Sequence, residues 1–168
     1  MIQEGYVFIG KYETTFIFKP EGRLTQKSLW NVNTAVTECL KDQTITDLLV
    51  DLTHCAYMDS TILGVSARWA IAFAKAHSAR PFLIGLQGNP LENTFRRMNL
   101  HTLFHISPDP QLSERCALAK LSFAEQYSQK EYAEYVLSAH TTLAELSAEN
   151  AKEFATVIQC LKAELNAG

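Results

Sequence analysis

The sequence predicts an α/β domain built on a mixed β-sheet of about four or five strands, with a C-terminal helical extension behind it. Three observations carry this. Two neighbouring runs rich in aromatic and β-branched residues open the chain, separated by a short polar turn. Short apolar runs then alternate with segments of helical periodicity as far as about Ala124. Beyond that point strand-like runs cease and helical spacing alone continues. The organisation is therefore a domain over residues 1–124 and an extension over residues 125–168.

Residues 5–9 and 14–19, flanking Gly10-Lys11-Tyr12-Glu13, read as a β-hairpin, and Pro20-Glu21-Gly22 is expected to break its second strand. From about Gln26 to Lys41, Leu29, Val32, Val36 and Cys39 recur at helical spacing, giving an amphipathic helix. Asp47 to Leu52 is nearly all apolar, as a central strand requires. A short turn leads to a helix from Ser60 to about Ser78. One of its faces carries Ile62, Val65, Trp69 and Phe73, and another carries Leu63, Ala67, Ala70 and Ala74. Apolar surface on two sides predicts a helix packed between neighbours.

Pro81 to Gly85 reads as a further buried strand. Asn89-Pro90-Leu91-Glu92 supplies a helix start, with an Asn cap, proline at the first position and an acid in the first turn. Leu91, Phe95 and Met98 then face inward. Leu103 to Ile106 is the last expected strand, and Pro110 opens an expected helix carrying Leu112, Cys116, Ala119 and Phe123. Strands alternating with helices call for a largely parallel sheet with right-handed crossovers, and the opening hairpin makes it mixed.

In the extension, Val136, Ala139, Leu143 and Leu146 recur at helical spacing. Ser147 is a candidate cap before a seam of Ala151, Phe154, Ile158, Leu161 and Leu165. A seam this short needs something to pack on. It docks either on its own domain or on a partner, including a second copy in a homodimer through the C-terminal helices.

The formal charge of −3 and pI near 5.9 provide no cationic field for nucleic acid. No apolar run approaches the roughly 20 residues that span a bilayer, and the first residues lack the pattern of a signal peptide. A cytoplasmic protein without membrane insertion is expected. Cys39, Cys55, Cys116 and Cys160 are scattered, with no CxxC pair, and read as buried free thiols.

The sequence shows no phosphate-binding loop, no dinucleotide fingerprint and no metal-binding spacing of His and Cys, so neither metal nor cofactor is expected. His54-Cys55 has no evident third group to orient a catalytic pair. The segment Asp59-Ser60-Thr61 stands apart. Its plain role is helix capping. Its functional role would be to present Ser60 at a helix entrance, where phosphorylation adds about −1.5 to −2 charges and changes binding without refolding the domain.

Leu49-Val50-Asp51-Leu52, then Met58-Asp59-Ser60-Thr61, then Leu63-Gly64, resembles the signature of STAS domains of the anti-sigma-factor antagonist family. Gly22-Arg23-Leu24-Thr25 is similar to the family's loop before its first helix. Phe95 to Leu100, with Leu103-Phe104, is similar to its late helix-to-strand segment. The resemblance implies a bacterial regulator without catalytic activity. In such systems a serine kinase and anti-sigma factor of the histidine-kinase-like ATPase type phosphorylates the serine, and a PP2C-like phosphatase removes the phosphate. On that matching Ser60 is the phospho-acceptor. Asp59, Ser60, Thr61, Ile62, Gly22 and Thr25 form the partner-binding surface. Ile62 stands where many members have glycine, and Thr25 where an acid is common. An alternative within the same resemblance is an accessory subunit bracing the ATPase of a lipid-transport ABC complex. A small enzyme using Ser60 or Cys55 is the remaining class.

Overall fold

The computed structural model describes residues 4–108, 111–114, 116–121 and 127–168. The opening hairpin is β1 (Tyr6–Tyr12) and β2 (Thr15–Leu24), paired antiparallel from Tyr6↔Glu21 to Tyr12↔Thr15. A 3-10 turn (Gln26–Ser28) leads into α1 (Leu29–Lys41), followed by β3 (Asp47–Asp51) and β4 (Cys55–Met58). Next come α2 (Ser60–His77), β5 (Phe82–Ile84), α3 (Glu92–Arg97), a 3-10 turn (Leu100–Leu103) and β6 (His105–Ile106). The chain continues through α4 (Gln111–Glu114), β7 (Ala119–Lys120), α5 (Gln129–Glu145) and α6 (Ala148–Ala167).

The sheet runs β6-β5-β3-β2-β1-β7, and β4 pairs with the far end of β2. Pairings among β2, β3, β5 and β6 are parallel, as is β2 with β4, while β1 is antiparallel to both its neighbours. The architecture is thus the mixed α/β sheet with a helical extension that the pattern implied.

Three expectations need correction. Pro20-Glu21-Gly22 does not end the strand. Residues Thr15 to Phe18 pair with β3 and Gly22 to Leu24 pair with β4, so Pro20 falls between the two ladders and its missing N–H costs neither a bond. A register shift between Gly22 and Arg23 bends β2 there, and Gly22 takes the positive φ of 75° that a bulge can demand. The turn after β3 also contains a strand, β4, too short to show a period. Finally, of the helix expected from Pro110 through Phe123, the described residues are helical only over Gln111–Glu114, and Ala119–Lys120 is an edge strand on β1. Pro110 and Phe123 lie outside the described residues.

Smaller shifts occur nearby. Leu100–Leu103 is helical, leaving His105–Ile106 as the strand. Asn89 Oδ1 accepts from Leu91 N–H at 2.8 Å, while its Nδ2 donates to the Leu52 and Cys55 carbonyls at 2.7 and 3.1 Å. That bond set fastens the turn before α3 to the β3–β4 corner.

Alternation divides the sheet's side chains between two faces. Phe16, Phe18, Leu48, Val50 and Leu83 join the main core with residues of α1, α2 and α3. Ile17, Leu49 and Ile84 face the other way, under Cys116 and Leu118. Trp69 of α2 meets Phe16 and Phe18 edge-on, with ring centroids 6.2 and 5.2 Å apart. Burying such side chains is worth roughly 1.5–3 kcal/mol each.

α2 is packed between neighbours as its two apolar faces demanded: sheet below, α5 above. α6 lies on α5 as an outer layer, so the extension docks on its own domain. Only Phe154 of the α6 seam is buried; Ile158, Leu161 and Leu165 are half-covered and Ala151 is exposed. Asn150, 1% exposed, donates through Nδ2 to Met98 O and Leu143 O, both at 2.9 Å, joining α6 to α5 and to the end of α3.

The four cysteines are free thiols, but Cys160 is exposed rather than buried, because it lies on the outward side of α6. Burial pushes the Cys39 thiol up to about 12 and the Cys55 thiol up to about 11. Both therefore stay protonated at ordinary pH. At about pH 8, Ellman's reagent is expected to react with Cys160 and Cys116 before Cys39 and Cys55, as read by mass spectrometry of the labelled peptides. Asn150→Ala takes the side-chain donor from Met98 O and leaves Leu143 O with the Leu146 N–H at 3.2 Å, and should lower stability by about 1–3 kcal/mol in urea titrations.

Candidate functional site

The site is assembled where β2 and β4 run out side by side. Their parallel pairing, Gly22↔Cys55 and Leu24↔Met58, delivers the loop before α1 and the start of α2 to one place. Asp59 N–H donates to Leu24 O at 3.1 Å, and Gly22 N–H donates to His54 O at 2.8 Å. The two loops are stitched together by backbone alone before any side chain takes part.

Asp59 then caps α2 in extended conformation. Its Oδ1 accepts from Ile62 N–H at 3.0 Å, and its Oδ2 accepts from Gln26 N–H at 2.6 Å. One carboxylate thereby satisfies an orphan donor at the start of each of two helical segments. Thr25 caps the first of these, its Oγ1 accepting from Lys27 N–H at 3.3 Å.

Ser60 follows as the first residue of α2 and is half-buried, as are Asp59, Gly22 and Thr25. Thr61 and Ile62 are turned into the core, at 4% and 0% exposure. Ile62 therefore presents no side-chain surface to a partner, contrary to its expected place in the docking set. It is the first member of the apolar face that α2 lays on the core. His54 and Cys55 diverge: the His54 ring lies 3.6 Å from the Glu21 carboxylate, and the Cys55 thiol is buried.

The structure adds a residue that sequence reasoning passed over. His140 of α5 is buried, and its Nε2 lies 2.8 Å from Ser60 Oγ. Its Nδ1 lies 2.8 Å from Val136 O. A carbonyl only accepts, so Nδ1 carries a proton, and in the neutral ring Nε2 accepts from the Ser60 hydroxyl. The Phe154 ring closes the other side of the imidazole at 5.4 Å. His140 occupies the buried stripe of Val136, Ala139 and Leu143, so its inward direction was legible. Its partner was not.

α5 reaches Ser60 because Gly64 lets it. A Cβ at Gly64 would lie 2.6 Å from the Ala139 carbonyl carbon and 2.7 Å from its Cβ, so the two helices cross backbone to backbone. Polar contacts fix the crossing at either side. Arg68 donates to Ser138 Oγ at 2.8 Å, Tyr132 Oη donates to Gln26 Oε1 at 2.5 Å, and Asn33 donates to Tyr127 Oη at 3.0 Å. Burial, and secondarily the Asp59 charge, hold the Tyr132 phenol above its ordinary pKa.

The family model described as STAS domain matches residues 7–112. The chain belongs to the STAS domain family. Among solved structures, the anti-sigma factor antagonist SpoIIAA in its unphosphorylated form matches with a TM-score of 0.51 at 13% identity, covering 66% of this chain and 94% of that one. The Bacillus cell fate determinant SpoIIAA in the phosphorylated form matches at 0.49 and 14% identity, covering 66% and 97%. A search of curated proteins gives no match. At such identities the likeness is one of fold. The family match ends before α5, so the histidine that meets Ser60 comes from outside the matched STAS segment.

No helix among the described residues is long and apolar enough to cross a membrane. Asp59→Ala removes the α2 cap and the tie to Gln26 together, and is expected to cost about 1–3 kcal/mol by chemical denaturation. Asp59→Asn, which keeps an acceptor oxygen for one of the two N–H groups, should recover part of that loss.

Proposed function

We propose that this STAS protein is an anti-sigma-factor-antagonist-like regulator that switches partners by phosphorylation at Ser60. The observation that carries this reading is the position of Ser60. It is the half-buried first residue of α2, directly behind a capping aspartate and beside the Thr25 and Gly22 loop. The rest of the segment is committed to the core, which leaves Asp59, Ser60, Thr25 and Gly22 as the residues that can face a partner.

In the reaction, Ser60 Oγ forms a bond to the γ-phosphorus of ATP, the bond from that phosphorus to the β,γ-bridging oxygen breaks, and ADP leaves. The hydroxyl proton passes to a base of the kinase and from there to solvent. The kinase is of the histidine-kinase-like ATPase type and doubles as the anti-sigma factor, and a PP2C-like phosphatase reverses the step. The protein itself performs no catalysis in this reading and works in the bacterial cytoplasm. A phosphate beside the Asp59 carboxylate concentrates negative charge on the docking loop, and that charge opposes an acidic partner surface.

A second reading, a brace on the ATPase of a lipid-transport ABC complex, is favoured by one feature: the Ser60 hydroxyl is already engaged by His140, as suits a constitutive contact. Incubation with the cognate kinase and ATP, followed by phosphopeptide mapping, separates the two. Phosphate on Ser60, lost in Ser60→Ala, is expected. Ser60→Asp should weaken kinase binding by about tenfold or more. Absence of phosphate on Ser60, together with undiminished binding by Ser60→Asp, would leave the brace as the better reading.

A further inference from the structure

We infer that the α5–α6 hairpin is an intramolecular latch on the acceptor serine, docked while Ser60 is unmodified and released when Ser60 is phosphorylated. The inference rests on Ser60 being the phosphorylated residue and adds what the extension does about it.

The atom that holds the latch is the one that phosphorylation removes. The Ser60 hydroxyl proton bridges to His140 Nε2 at 2.8 Å, and the phosphoryl group replaces that proton. The imidazole cannot turn to offer its other nitrogen without giving up Val136 O. A neutral His140 would then set a lone pair against phosphate oxygens. Asp59 adds a carboxylate on the adjoining residue, already holding two backbone N–H groups. Opposite a neutral ring, the phosphate would sit between an acceptor nitrogen and an anion, where burial is costly.

The Gly64–Ala139 crossing is at backbone contact, so α5 cannot settle closer, and heavy atoms added between Ser60 Oγ and the His140 ring would displace it. Because α6 packs on α5, through Phe154 against His140 among others, displacement of α5 carries α6 with it. Release would uncover Val136, Ala139 and Leu143 of α5 and the Gly64 side of α2, an apolar face absent from the docked form. Phosphorylation then changes the charge of the docking loop and unmasks a second surface. By linkage, the docked hairpin disfavours the phosphorylated form of Ser60 at equilibrium to the extent that phosphorylation loosens the hairpin.

The test needs no kinase. Phosphoserine is incorporated at position 60 during translation of the full chain, and amide hydrogen exchange is compared with that of the unmodified protein. Exchange over Val136 to Leu143 and through α6 is expected to quicken by about tenfold or more, with β3 unchanged. Equal or slower exchange in α5 would overturn the latch, the slower case meaning that His140 grips the phosphate. Quickening of β3 to the same extent would also overturn it, since the hairpin would then belong to one cooperative core. Gly64→Ala provides an independent arm: its Cβ collides with the Ala139 backbone and should loosen α5 without any phosphate. Unchanged exchange in that variant would count against the crossing as the latch's seat. If no kinase ever modifies Ser60, the switching function fails while this exchange difference can still be read.

Discussion

A single carboxylate organises the functional end of the molecule. Asp59 has one oxygen on the first turn of α2 and the other on the 3-10 turn ahead of α1, so two segments far apart in sequence share one anchor. Short side chains make accurate anchors because they lose little freedom and reach only what lies beside them. Without that bridge the β2 and β4 ends would still pair, but Ser60 would have no fixed direction. With it, the serine is aimed along α2 at α5, and the half-buried rim of Thr25 and Gly22 is set around it.

Above this anchor, the molecule is layered by residue size. Large side chains of α2, Trp69 and Phe73 among them, fill the space over the sheet. Its small residues, Gly64 foremost, turn toward the extension and permit close helix contact. The extension is held by the buried stripe of Val136, Ala139, Leu143 and Phe154 and by polar bonds placed around it: Tyr132 to Gln26, Arg68 to Ser138, Arg97 to Glu153 at 2.9 Å, and Asn150 to two carbonyls. Several of these are at the surface, where such pairs contribute little.

The sequence made the start and the double-sided burial of α2 legible, because Asp59-Ser60-Thr61 is capping chemistry and the apolar residues after it cover two helical faces. The hairpin, α1 and β3 were equally readable from period and composition. β4 and β7 were not, since four and two residues cannot display a period. Pro20 misled for a physical reason: proline breaks a strand only where the ladder needs its N–H, and ladder demand is a property of neighbours. Ile62 misled in the same way, adjacency to Ser60 suggesting exposure that the helix phase forbids. His140 is 80 residues from its partner, and no local pattern encodes a contact of that span.

The treatment of the sheet's two margins has its own consequence. On one side the last strand is only His105–Ile106. On the other, the seven residues of β1 would form a long free edge, but Leu121 N–H donates to Val7 O at 2.9 Å, β7 pairs with Phe8 and Ile9, and the Lys120 ammonium sits 3.4 Å from the Tyr6 ring centroid. Sheets that leave long edges bare recruit further strands from other molecules and grow into fibres. This one gives such growth very little to start from, and a chain whose extension can detach has particular need of that protection, because crowding in the cell would otherwise turn each opening into a chance to polymerise.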